Sequence, residues 1–163
     1  MIVRRAVIED LATLVEFTSQ EAREAEGCIK DSKRLEVGVR CALEDPSIAM
    51  YWLMVDESNR PIGSISSLKE WSDWNAGYYW WIQSMYIIPD QRGRGHINKL
   101  LNSVVSEMKS QSGLELRLYV HEGNSKAIRA YEKIGFEKSP YEIMAFRNEH
   151  EQSHAADAAK LRR

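Results

Sequence analysis

Cysteine is scarce in this chain. Cys28 and Cys41 stand far apart, with neither CxxC spacing nor a clustered histidine, so a zinc or dithiol site is not expected and two reduced, partly buried thiols are the plain reading. Charge of one sign is lacking too. The 22 Lys and Arg nearly balance the 24 Asp and Glu, for a formal net charge of −2, which removes any compositional case for a protein that coats nucleic acid or an anionic membrane. No stretch approaches the ~20 apolar residues of a membrane span. The opening MIVRRAVIEDL carries charges where a leader needs an apolar run, so a cytoplasmic location is expected. No internal repeat and no long linker divide the 163 residues, a length suited to one domain with a substantial core.

What is present is strong periodicity. IVRRA reads as a short first strand, and Ile8, Leu11, Leu14, Val15 and Thr18 then recur on one helical face. Leu35, Val39, Ala42 and Leu43 mark a second helix, stopped by Asp45 and Pro46. IAMYWLMVD and PIGSISSL read as a hairpin around Glu57 to Arg60. YYWWIQSMYII, from Tyr78 to Ile88, has apolar side chains on both alternating faces, as a central strand buried on both sides requires. A clear amphipathic helix carries Ile97, Leu100, Leu101, Val104, Val105 and Met108 on its inner face. LELRLYV is the next strand. Ala127, Ile128, Tyr131 and Ile134 mark a further helix, and YEIMAF is expected as a last strand whose exposed edge leaves room for a homodimer. The order predicts an α/β fold, a single-domain mixed sheet with helices on both faces, spanning residues 1–147 with a polar tail at 148–163.

The chemistry gathers at QRGRGH. Gly93 and Gly95 let the main chain approach a ligand, and the helix starting there offers unpaired N–H groups and a positive dipole end of about half a charge. Arg92 and Arg94 add full charges, so a pyrophosphate is the natural guest. A basic solvated turn or an RG-type contact to RNA would use the same letters. The buried strand just before and the amphipathic helix just after favour the phosphate cradle.

MYIIPDQRGRGHINKLL followed by LYVHEGNSKAIRAYEKIGF resembles the two central motifs of the GCN5-related N-acetyltransferase (GNAT) family, over roughly Met85 to Phe136. The upstream elements appear in that family's order, so the resemblance covers positions 1 to about 147. It implies an acyl-CoA N-acyltransferase fold and transfer of an acetyl group from acetyl-CoA to a primary amine, without a metal. Position by position, it implies that Met85 and Ile87 lie along the pantetheine arm. Main-chain N–H groups of Arg92, Gly93, Arg94, Gly95, His96 and Ile97 would hold the pyrophosphate. Asn124 would bond the cofactor arm where the sheet splays, and Tyr131 would protonate the departing thiolate, a role suited to a phenol of pKa ~10.

Two positions depart from the pattern. Ile97 stands where the loop usually ends in Gly or Ala, and Trp81 stands where several members carry a catalytic Glu. Candidates for the missing base are Glu70 and Asp73 in KEWSDWNAG, His121, or a relayed water, with Glu70 the preferred residue. The acceptor is a small-molecule or peptide amine, with no nucleic-acid or membrane partner expected. The alternative is an acyl-CoA-binding sensor or regulatory module without catalysis, supported by Trp81.

Overall fold

The first strand, β1 (Ile2–Arg5), is tied to the first long helix, α1 (Leu11–Glu26), through a single 3-10 turn at Ile8–Asp10. Asp10 makes that junction: its carboxylate accepts from both terminal nitrogens of Arg4 (2.7 and 2.9 Å) and from the Val7 N–H (2.9 Å). This computed structural model describes residues 1–146, divided into a unit from Met1 to Asn124 and a second unit beginning at Ser125.

α1 stops at Gly27, whose φ of 66° suits glycine and whose N–H returns to Arg23 O. Helix α2 (Ser32–Glu44) starts where the Asp31 side chain accepts the Arg34 N–H at 2.9 Å, and it ends before Pro46. β2 (Met50–Val55) and β3 (Pro61–Ser72) are joined through Asp56, whose Oδ1 accepts the Ser58 and Arg60 N–H groups. β4 (Gly77–Ile87), α3 (His96–Ser110) and β5 (Glu115–Leu118) complete the first unit. The sheet order is β1-β2-β3-β4-β5, antiparallel throughout except for the parallel β4–β5 pair that spans α3. The expected mixed α/β sheet is the one observed.

Strand alternation sorts the core into two layers. Tyr51, Leu53 and Val55 of β2 pack with Leu14 and Phe17 of α1 and Val39 and Ala42 of α2. Trp52 and Met54 point the other way, toward the side that α3 covers with Leu100, Leu101, Val104 and Met108, all buried. Each fully buried side chain of this kind contributes roughly 1.5–3 kcal/mol of transfer free energy. Trp80 is fully buried, and Gly113 is required beside it, because a Cβ there would come within 2.6 Å of the indole nitrogen.

Among the described residues no helix is long and apolar enough to cross a membrane. Three expectations need correction. β4 is buried at Trp80, Ile82, Tyr86 and Ile87, but its Tyr78 end is exposed, because there it forms the tip of the β3–β4 hairpin, where Tyr78 meets the likewise exposed Trp71 edge-on. β5 ends at Leu118 rather than Val120, because its partner β4 departs from regular pairing just past Ile82. Tyr141–Phe146 forms no strand: no ladder takes these residues, and Tyr141, Ile143, Met144 and Phe146 are exposed. A strand exists by pairing, so the edge expected there to favour a homodimer is not formed. The expected tail at 148–163 lies outside the described residues.

In the second unit, α4 (Ser125–Lys133) is a short amphipathic helix in which Ala127, Ile128, Ala130 and Tyr131 are partly buried. The Tyr131 ring meets Phe136 edge-on at 5.7 Å, and Tyr131 O accepts the Phe136 N–H at 3.0 Å.

Candidate functional site

The site begins with an irregularity in β4. Ser66 pairs with Ser84 and Ser67 with Ile82, so Gln83 is an extra residue bulged out of the ladder. The parallel pairing with β5 stops at the same place, its last partners being Ile82 and Leu118. A bulge bends and twists its strand. Beyond Gln83, β4 therefore runs on without β5 beside it, and β5 is short for the same reason.

The Ile88 N–H donates to Ile62 O at 3.0 Å, fixing which way the main chain faces. Tyr86 and Ser84 share that direction, toward β3. Met85 and Ile87 turn their N–H and C=O groups to the open edge. Both residues expected along a pantetheine arm therefore expose main-chain hydrogen-bonding groups there.

Side chains from other elements meet this edge. The Met85 N–H donates to the Glu21 carboxylate of α1 at 3.0 Å. Ile87 O accepts from Arg92 Nε at 2.7 Å, while the same guanidinium reaches Glu24 of α1 at 2.9 Å and lies over the Tyr86 ring at 5.3 Å. Its partnership with Glu24 holds the Arg92 cation more firmly than usual, with burial opposing. Neither Glu21 nor Glu24 was singled out from the sequence. The signal was available, since Leu14, Phe17, Glu21 and Glu24 share one helical stripe. A carboxylate in the last turns of a helix also opposes the dipole and calls for a partner.

At the end of β4 comes a 3-10 turn, Pro89–Gln91, then the loop. Gly93 and Gly95 take φ of 77° and 76°, the left-handed region that favours glycine. The Arg92 N–H is spent on Pro89 O at 3.3 Å, so Arg92 enters the site through its guanidinium. Among the described residues no main-chain acceptor takes the N–H groups of Gly93, Arg94, Gly95, His96 or Ile97. They open α3 with the kind of unspent N–H groups that suit an anion, with Arg94 exposed beside them. His96 is buried, and neither ring nitrogen has a hydrogen-bond partner among the described residues. Burial first, and then the positive charges of Lys99, Arg94 and the amino terminus, push the imidazole below its ordinary value, so it is neutral at pH 7. Ile97 is half-buried in the first turn of α3.

The remaining expected residues belong to other elements. Glu70 is exposed within β3 and pairs with Tyr79, about 20 Å along β4 from Met85 at ~3.3 Å per residue. Asp73 is exposed in the following turn. Trp81 stacks on Tyr119 at 4.5 Å, with Arg117 over the Tyr79 ring at 3.4 Å nearby. His121 sits past β5, where its Nδ1 accepts the Gly123 N–H at 3.1 Å and its carbonyl accepts the Asn124 N–H at 2.8 Å. Tyr131 belongs to α4 of the second unit.

Residues 9–136 match the model of the acetyltransferase (GNAT) family. The fold is similar to the crystal structure of a possible acetyltransferase from Clostridium difficile 630, at 29% identity and a TM-score of 0.85, covering 90% of this chain and 97% of that one. It is also similar to a predicted acetyltransferase from Clostridium acetobutylicum with acetyl-CoA, at 21% identity and a TM-score of 0.74, covering 89% and 95%. An aminoglycoside 6'-N-acetyltransferase from Acinetobacter haemolyticus is similar at 13% identity and a TM-score of 0.77, covering 91% and 99%. These last two likenesses bear on the fold alone. No curated protein sequence matches the chain.

Proposed function

The chain belongs to the GNAT family of acetyltransferases, and from that premise we propose that it moves the acetyl group of acetyl-CoA to a primary amine by direct attack in a ternary complex. The observation that carries this reading is the open edge of β4 past the Gln83 bulge, leading directly into a loop of unspent N–H groups. An extended chain bearing amides fits the first, and a pyrophosphate fits the second. When bound, acetyl-CoA supplies an activated thioester carbonyl.

The chain's own groups do the rest. Met85 and Ile87 hold the arm through their main-chain groups, and the N–H groups from Gly93 to Ile97 hold the phosphates with Arg94. Arg92 turns from Ile87 O to the incoming anion, and Asn124 bonds the arm. The Met85 N–H, first on the open edge after the bulge, faces the position where negative charge develops on the carbonyl oxygen; such a donor is typically worth ~10²-fold or more in rate. The resemblance to the family's second motif makes Tyr131 the proton donor for the leaving sulfur in this reading. Bringing both reactants together accounts for much of the acceleration without a covalent enzyme adduct. Glu70, which pairs with Tyr79 about 20 Å along β4 from Met85, is not the base in this reading. The acceptor is a small-molecule or peptide amine, and the fold leaves its identity to local side chains.

Thermal unfolding with acetyl-CoA, longer acyl-CoAs and free CoA tests the reading, together with thiol release across a panel of amines. Acetyl-CoA at 100 times its Kd should add about 2.7 kcal/mol of stability. No stabilisation by any CoA at millimolar concentration overturns the proposal. Trp81 in place of the usual Glu favours a second reading, an acyl-CoA-binding module without turnover. Tyr131→Phe separates the two: an enzyme loses most of its kcat with its acetyl-CoA affinity kept.

A further inference from the structure

We propose that Glu21 is the residue that receives the acceptor's ammonium group and removes its proton, once the acyl carbonyl has displaced its carboxylate from the Met85 N–H. The inference rests on the acetyl-transfer reading, in which that N–H serves the acyl oxygen. Its own basis is positional. A carboxylate 3.0 Å from the Met85 nitrogen stays within a side chain's reach of any carbonyl that takes over that donor. A carboxylate and a carbonyl oxygen gaining negative charge cannot share one N–H, so the carboxylate must swing aside as the acyl group seats. It is then beside the reacting carbon with a lone pair to offer, and a cation is the partner its charge selects.

The stretch of β4 at the bulge provides no rival, since Trp81, Ile82, Gln83, Ser84 and Met85 include no acid. Among the described residues, the titratable groups near Glu21 include Tyr51 of β2, whose hydroxyl is pushed up by burial and by the Glu21 charge, and Glu24, which is paired with Arg92. At pH 7 roughly one alkylamine in 2,500 is neutral, so a fixed acceptor for the ammonium proton matters to the rate. In the step itself Glu21 takes one proton, the amine nitrogen forms its bond to the carbonyl carbon, and the carbon–sulfur bond breaks. The second nitrogen proton replaces the one that Tyr131 gives to sulfur, and Glu21 returns the first to solvent.

The test compares wild type with Glu21→Gln and Glu21→Ala, circular dichroism confirming that each is folded. Acetyl-CoA and CoA are titrated calorimetrically, and transfer to butylamine, phenethylamine and a glycine-initiated peptide is followed from pH 6 to 10. Glu21→Ala should bind acetyl-CoA several-fold more tightly than wild type, having lost the internal competitor. Glu21→Gln should lose about 100-fold or more in kcat/KM at pH 7 and recover much of it near pH 10, where roughly a third of an alkylamine is already neutral. Equal pH profiles for wild type and Glu21→Gln overturn this assignment and leave the acetyltransferase reading standing. Should none of these amines react with wild type, an acetyl-CoA affinity unchanged in Glu21→Ala overturns it alone. Wild type that binds no CoA removes both.

Discussion

Single residues explain more here than their burial suggests. Asp10 is buried and accepts three hydrogen bonds, two from Arg4 and one from the Val7 N–H. The Arg4 hydrogen bond above all, then the Val7 N–H and the Arg4 charge, hold its carboxyl below the usual range, against burial. A folded value below the unfolded one of ~3.9 means that the stabilisation is complete above about pH 4 and is lost as pH falls through the folded value. Asp10→Asn should therefore cost ~1–2 kcal/mol at pH 7 and less near pH 2, read from urea unfolding at each pH. Residue-level legibility was mixed. Met85, Ile87 and the loop glycines are readable in the sequence because a motif names them. Glu21 was passed over because its meaning depends on an N–H belonging to another element.

At the scale of elements, the site is an interrupted strand joined to a loop that must turn left-handed twice. The Gln83 bulge and the end of β5 are one event seen from two sides. Gly95 is the N-cap of α3 at φ 76°, and a side chain held there costs about 1–2 kcal/mol. Gly95→Val should relieve that strain by reorienting the first turn of α3, taking the N–H groups out of convergence. We expect acetyl-CoA affinity to fall about 10-fold, with a smaller change in Tm, because α3 remains anchored by Leu100, Leu101 and Val104 in the core. Calorimetric titration beside thermal unfolding measures both. Unchanged affinity would mean that the loop amides do not hold the phosphates. The α1 stripe of Leu14, Phe17, Glu21 and Glu24 performs two tasks along one face, packing the core at one end and meeting the open edge at the other.

For the whole molecule, the formal charge of −2 sets no general attraction for a polyanion, so affinity for a phosphorylated ligand must come from a local cluster. Arg94, Lys99 and the α3 N-terminus form one beside Arg92. The domain proposed for residues 1–147 should function without residues 148–163. NEHEQSHAADAAKLRR has no apolar stripe, so a chain ending at Arg147 is expected to keep its Tm within about 2 °C and its full acetyl-CoA stabilisation. A truncated chain that no longer responds to acetyl-CoA would refute that boundary.

The sequence by itself determined most of the elements, their order, the βαβ unit and the glycine-bearing turn between its first strand and its helix. Helical and strand periods are local properties, and Leu100, Leu101 and Val104 declare α3 whatever surrounds them. Only the tertiary structure decided where pairing starts and stops. The Gln83 bulge, the end of β5 at Leu118 and the absence of a ladder at Tyr141–Phe146 all depend on a partner that is distant in sequence. The same holds for Glu21 on the Met85 N–H and Arg92 on Ile87 O. A hydrogen-bonding group on an open strand edge takes whatever the fold brings to it, and a period within either partner carries no record of that meeting.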